Sequence, residues 1–221
     1  KGTGADAQVY DFDKWINTIQ TRQGKAAGHD DDVLLFGAGK YTTVRWIGNE
    51  NGLAPEPCWS KGTATYNLDG SVSSLNNGGQ SGEYYPGIKT GNHWVVPECD
   101  ARITSGWFWS NSKKTPKSLT ALRDMYLQSV GRNSVLLLNV PLNDQGTLDQ
   151  AIYDRTKEFG ENIQQTFRTN LIEQPGVTIT ADSVHENNVK FSPIHVADKN
   201  YGKDGSDGKN VTYWAAQAGT K

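Results

Sequence analysis

Sulfur is scarce in this 221-residue chain, which holds one methionine and two cysteines, Cys58 and Cys99. Two cysteines are too few for a disulfide scaffold, and neither sits at zinc-ligand spacing, so no metal site is expected. An excess of one charge is also missing: 22 basic residues face 24 acidic ones, for a net charge of −2. A nucleic-acid partner leaves a clustered basic footprint, so that partner class is excluded. No apolar run approaches the ~20 residues of a membrane-spanning helix, and no span is expected. The opening "KGTGADAQVYDF" has neither an initiating Met nor signal-peptide character, and it reads as a piece of a longer protein.

Aromatic residues and glycine are abundant, with seven Trp, nine Tyr and 24 Gly. Trp46, Trp59, Trp94, Trp107 and Trp109 all fall beside loops rich in Gly, Asn and Ser. An indole face packs on the C–H face of a pyranose while polar neighbours bond its hydroxyls, so this composition suits a sugar site. It equally suits ordinary core and turn aromatics.

Residues 5–22 predict a helix, capped by Asp11 or Asp13, with Trp15, Ile16 and Ile19 on its apolar face. "DVLLFGAG" at 32–39 and "SVLLLNVP" at 134–141 are continuously apolar, as strands covered on both faces are. Between them, 60–92 is rich in turn formers and reads as a long functional loop, before strand-like text returns at 93–111. A helix is expected around Leu119, Leu122, Tyr126 and Val130 with Gly131 as its C-cap. Another runs from Thr147, with a Thr147–Gln150 capping box, to about Asn170. Apolar strands alternating with amphipathic helices predict an α/β barrel or open sheet, whose catalytic groups lie beyond the strand C-termini. From 173 the text alternates in period two, so a domain boundary is placed between 1–172 and an all-β segment at 173–221.

One stretch asks for a chemical explanation: "RWIGNENG", where Glu50 stands between Asn49 and Asn51, shortly after Arg45 and Trp46 and bracketed by two glycines. Together with "WVVPECDARITSGWFWSN" and "LRDMYLQSVGRNSVLLLNVPLNDQGTLD", this stretch resembles the glycoside hydrolase family 29 α-L-fucosidases. The closer likeness is to the branch that cleaves α-1,3- and α-1,4-linked fucose from Lewis-type glycans. It covers roughly residues 1–170, and the remainder, including "VTYWAA", resembles the start of a galactose-binding-like β-sandwich.

The resemblance implies the C-terminal part of a (β/α)8-like barrel, no cofactor and a retaining mechanism with two carboxyls ~5–5.5 Å apart. The family's nucleophilic Asp lies in a Trp-x-Asp-Gly motif that this chain lacks. "KGTGADAQVYDF" resembles the text that follows the motif, so the nucleophile is expected just upstream of Lys1 and the chain alone is expected to be inactive. Glu50 matches the general acid/base, which needs surroundings that let it hold a proton; burial beside Trp46 and a nearby anion would supply them.

Arg45 is a candidate to neutralise the nucleophile or orient Glu50 in contact with substrate, or equally a structural arginine. Asn49 and Asn51 are candidates to orient Glu50 or bond sugar hydroxyls, and Trp46, Trp107 and Trp109 are candidate pocket walls. Trp107 and Trp109 share a face if their segment is extended. Glu98 and Asp100 are candidate hydroxyl ligands, or ion-pair partners of Arg102 or Arg45, and His93 is a further candidate substrate contact, though a lone loop histidine is more often structural. Tyr66, Tyr84 and Tyr85 would place the 60–92 loop as a lid over the leaving group. The Asn210-Val211-Thr212 acceptor pattern matters only in a glycosylating host, and "KDGSDG" reads as a turn rather than a calcium loop.

The expected partner is a fucosylated oligosaccharide or glycoconjugate, which implies a secreted or cell-surface, bacterial protein. Two other readings stand beside this one. One is a non-catalytic fucose- or Lewis-glycan-binding protein on a degenerate barrel, and the other is an adhesive module whose Trp-rich loops bind protein.

Overall fold

The computed structural model describes residues 9–24, 33–78, 85–197 and 214–218. Tyr84, the Asn210 acceptor pattern and "KDGSDG" lie outside these residues. The chain divides into two compact units, 1–161 and 162–221.

The first unit is built on a parallel sheet. Strand β1 (Val44–Trp46) pairs with β5 (Val96–Arg102), which pairs with β6 (Val135–Asn139). The predicted strand at 32–39 contributes a single parallel bridge, Phe36 to Val44. In register, Trp46 lies beside Glu98 and Glu98 beside Val135, so odd and even positions sort onto two faces. One face is sealed by helices. Ile103, Leu122 and Ile152 form its core, joined by Met125, Leu138 and Phe159. Each large side chain buried there contributes roughly 1.5–3 kcal/mol.

The other face carries Phe36, Trp46, Glu98, Asp100, Arg102, Val135 and Leu137. Phe36 and Leu137 are 57% and 59% exposed, so these strands are covered on one face only, not on both as their apolar runs predict. β6 lies at the edge of the sheet.

Helix α1 (Phe12–Ile19) starts at Asp11, whose carboxylate accepts from the Lys14 amide, as its sequence predicts. Helix α2 (Leu119–Ser129) crosses from β5 to β6 and is capped by Ser118, which accepts from Ala121 N. Its end differs from expectation. Asn133, not Gly131, takes the left-handed conformation (φ 65°), and its amide donates to Cys58 O and Ser60 Oγ, both at 3.0 Å. Asn tolerates this conformation because its short polar side chain bonds locally. Helix α3 (Gln150–Phe167) begins three residues later than Thr147, and no capping box forms, because Thr147 Oγ1 donates to Asn143 Oδ1.

The expected 60–92 loop is largely an antiparallel sheet. Strand β2 (Lys61–Tyr66) pairs with β3 (Val72–Asn76) on one side and β4 (His93–Trp94) on the other. The β2–β3 turn closes through Asn67 N to Ser71 O (2.8 Å) and Gly70 N to Asn67 O (3.0 Å).

In the second unit, the described residues after α3 form short 3-10 turns at 171–173, 185–187, 189–191 and 193–196, and no strand. Residues 214–217 run beside 183–186, with His185 N donating to Ala215 O (2.8 Å) and Trp214 Nε1 to Ser183 O (3.2 Å). The period-two alternation is interrupted by Glu186 and Asn187, whose positive φ (53° and 52°) breaks the extended backbone.

Candidate active site

Glu50 sits in the turn that follows β1, at the C-terminal end of the parallel sheet. The turn is fixed on both sides: Ile47 N donates to Glu98 O (2.9 Å) and Gly52 N to Asp100 O (3.0 Å). Gly52 is required there. Its φ is +67°, and a Cβ would press on Ala101 Cβ (3.1 Å) and Met125 Cγ (3.3 Å). Asn49 is buried and spans the turn, donating to Leu53 O (2.8 Å) and accepting from Asn51 N (3.0 Å). It therefore shapes the loop.

The Glu50 side chain is exposed, and its partner is Trp107, whose Nε1 donates to Oε2 at 2.9 Å. The expected shelter beside Trp46 is not formed. Strand alternation turns Trp46 toward β5, where its Nε1 donates to Asp100 Oδ1 (2.7 Å) and its ring meets Tyr85 edge-on at 6.3 Å. Arg45 points to the opposite face and is buried, donating to Tyr85 O (2.6 Å) and Trp59 O (3.2 Å). It is a structural pin rather than a partner of Glu50.

Glu98 is 5% exposed, and neither carboxyl oxygen has a hydrogen-bond partner among the described residues. Burial, with the nearby Asp100 charge adding to it, pushes its pKa up from 4.5 to about 7. The ion pairs considered for Glu98 and Asp100 with Arg45 or Arg102 are absent among the described residues. Arg102 instead lies over the Trp107 ring, 5.5 Å from its centroid.

Trp109 departs from Trp107. The segment between them is bent, and Trp109 Nε1 donates to Asp149 Oδ2 (2.8 Å), a carboxylate whose pKa is lowered by that bond and by one from Asn143. His93 belongs to the antiparallel sheet, and its Nδ1 shares a hydrogen bond with Tyr66 OH (3.0 Å). It does not join the strand-end cluster.

Sequence reasoning missed Asn139 and Asp149. Asn139 ends β6 and donates to Trp107 O (2.9 Å). Its signal was available: a polar residue closing an apolar strand, where barrel-type sheets place chemistry. Both cysteines are free. Cys99 is buried against Ser134 Oγ (3.2 Å), and burial raises both thiols, Cys99 to about 11. Neither is an activated nucleophile.

No group of three or more His, Cys, Asp or Glu among the described residues is placed to hold a metal, and no described helix is long and apolar enough to cross a membrane. A groove of about 570 Å³ between α1 and residues 35–41, lined by Phe12, Trp15, Ile16 and Tyr41, shares no residue with the Glu50 cluster. The cluster itself pairs indoles with carboxyls, Trp46 with Asp100 and Trp107 with Glu50, and Glu98 lies beside Trp46 in the sheet register. Flat apolar faces beside proton-carrying oxygens are the chemistry a pyranose hydroxyl array and a glycosidic oxygen require.

No family model matches the chain. It is similar over 97% of its length to Alpha-L-fucosidase 1 of Arabidopsis thaliana, at 34% identity, and covers 39% of that protein. In structure, all of it is similar to a Ruminococcus gnavus GH29 fucosidase in complex with fucose (TM-score 0.78, 48% identity, 41% of that chain covered). A glycoside hydrolase 29 family member from an unknown rumen bacterium matches 79% of the chain (TM-score 0.60, 29% identity, 28% of that chain covered). The chain thus spans about two fifths of the length of its curated plant relative and of the R. gnavus enzyme.

Proposed function

We propose, from this likeness to α-L-fucosidases, that the chain is the part of a retaining α-L-fucosidase that carries the general acid/base. Glu50 protonates the leaving oxygen and then deprotonates the incoming water. The nucleophilic carboxylate comes from residues outside this sequence. Trp46, Trp107, Glu98 and Asp100 contribute the wall and floor of the sugar site. The substrate is fucose α-1,3- or α-1,4-linked in Lewis-type glycans, and the enzyme works outside the cell or at a bacterial surface. In this reading residues 1–172 complete a (β/α)8-like barrel and 173–221 begin a β-sandwich.

The observation that carries the proposal is the conjunction of the 48% identical fucosidase match with a glutamate on a pinned turn at the C-terminal end of the parallel sheet. The test is made on the full-length protein. It should release fucose from an aryl α-L-fucoside and from Lewis-type trisaccharides, and proton NMR should show the α-anomer as the first product. Binding of fucose without hydrolysis would replace this reading with the non-catalytic one, and a β-anomer first product would remove the retaining mechanism.

A further inference from the structure

We infer that Trp107 is a positioning residue for Glu50: its indole N–H holds one carboxyl oxygen and leaves the other to meet the glycosidic oxygen. The inference rests on the fucosidase reading above and assigns a role that goes beyond that of a pocket wall.

The turn fixes the Glu50 backbone but not its side chain. A glutamate loses rotamer entropy when held in one place, and proton transfer requires that it be held. Among the described residues the only side-chain hydrogen bond to Glu50 comes from Trp107 Nε1, at 2.9 Å to Oε2.

Trp107 is itself held from two sides. Asn139 Nδ2 donates to its carbonyl (2.9 Å), and Asn139 O in turn accepts from Ile103 N (3.0 Å), tying the indole to the ends of β5 and β6. The Arg102 guanidinium lies over the ring, and the Lys117 ammonium fixes the nearby backbone through Arg102 O and Thr104 O (3.0 Å to the latter). The other two indole–carboxylate pairs differ in kind. Asp100 is set within a strand, and Asp149 has Asn143 as a second partner.

Donor chemistry gives the arrangement its use. An indole N–H donates and never accepts, so it can bond a carboxylate or the carbonyl oxygen of a carboxylic acid but cannot take the acid's proton. It therefore stays on Oε2 in both half-reactions. In the first, Oε1–H gives its proton to the leaving oxygen as the C1–O bond breaks and the nucleophilic carboxylate bonds C1. In the second, Oε1 takes a proton from water as the water oxygen bonds C1 and the bond from C1 to the nucleophilic carboxylate breaks.

Trp107→Phe in the full-length protein removes the N–H and keeps an aromatic ring. On Lewis-type trisaccharides kcat is expected to fall about 10-fold, a part of the 10²–10⁴-fold that general acid catalysis supplies, with KM little changed. On an aryl fucoside with a good leaving group the loss should be under about threefold, because that departure needs little proton transfer. In a Glu50→Ala background the same substitution should have no further effect. Equal losses on both substrates, or a full loss in the Glu50→Ala background, would overturn the role and leave Trp107 a wall.

A second readout does not depend on turnover. The indole ¹⁵N–¹H resonance missing from Trp107→Phe should shift in Glu50→Ala, and a resonance that does not move overturns the contact. A full-length protein that hydrolyses no fucoside overturns the fucosidase reading, and this role with it, whatever the resonance does.

Discussion

Two glutamates on neighbouring elements have opposite surroundings. Glu50 is exposed and bonded to an indole, whereas Glu98 is buried without a partner among the described residues. For Glu50, Glu50→Gln in the full-length protein should lower turnover of poor leaving groups by at least ~10²-fold, the lower end of general acid catalysis. Azide should restore rate on activated fucosides when Glu50 is Ala, which product analysis as fucosyl azide would register.

For Glu98 the folded pKa of about 7 lies above the ordinary 4.5. The folded state keeps a proton that the unfolded state releases, so the contribution of Glu98 to stability is full below about pH 4.5 and is lost as pH rises through about 7. The full loss is up to about 3 kcal/mol. Glu98→Gln should flatten this slope in urea unfolding at pH 5, 6.5 and 8, and an unchanged slope would assign it elsewhere. The turn that holds Glu50 was legible because two glycines bracket it, Gly48 and Gly52, both at positive φ. The partner of Glu50 was not, because Trp46 is close in sequence yet turned away by strand alternation, while Trp107 reaches Glu50 from 57 residues away.

At the level of elements, the α2–β6 junction depends on Asn133. Asn133→Ala loses two side-chain hydrogen bonds and strains a left-handed backbone, which should cost about 2–3 kcal/mol, whereas Asn133→Gly keeps the conformation and should cost about 1 kcal/mol less. Chemical denaturation of the three proteins ranks them directly.

The cap of α1 was readable because Asp11 acts within three residues of its target. The antiparallel sheet in 60–92 was missed because its strands are polar, although "YNLDGSV" carries a Gly at a turn position between alternating segments. At 177–197, where alternation promised strands, the described residues hold 3-10 turns. Alternation states which side chains could share a face, but it supplies no neighbouring strand to receive the hydrogen bonds.

On the scale of the molecule, the first unit presents one helix-covered sheet face and one open face. Phe36, Trp46, Val135 and Leu137 lie together on the open side around Glu98 and Asp100. Apolar surface of this kind is what fluorescent hydrophobic dyes report. The 221-residue chain on its own is expected to bind anilinonaphthalene sulfonate, and Leu137→Ser should reduce the signal; no dye binding would mean that the face is covered in solution.

The β2–β3 hairpin leaves the molecule through a narrow neck. Gly78 and Gly87 pass so close that a Cβ on Gly78 would lie 2.5 Å from Gly87 Cα, and one on Gly87 would lie 2.2 Å from Trp59 O. Just behind them Ser60 O accepts from Val95 N (3.0 Å), so the chain departs and returns at adjacent points. The exposed β2–β3 turn at 67–71 can lengthen, shorten or be exchanged while the strands that lead to it stay packed. The scaffold thus offers a grafting port, where a new loop could be spliced in without redesigning the sheet that feeds it.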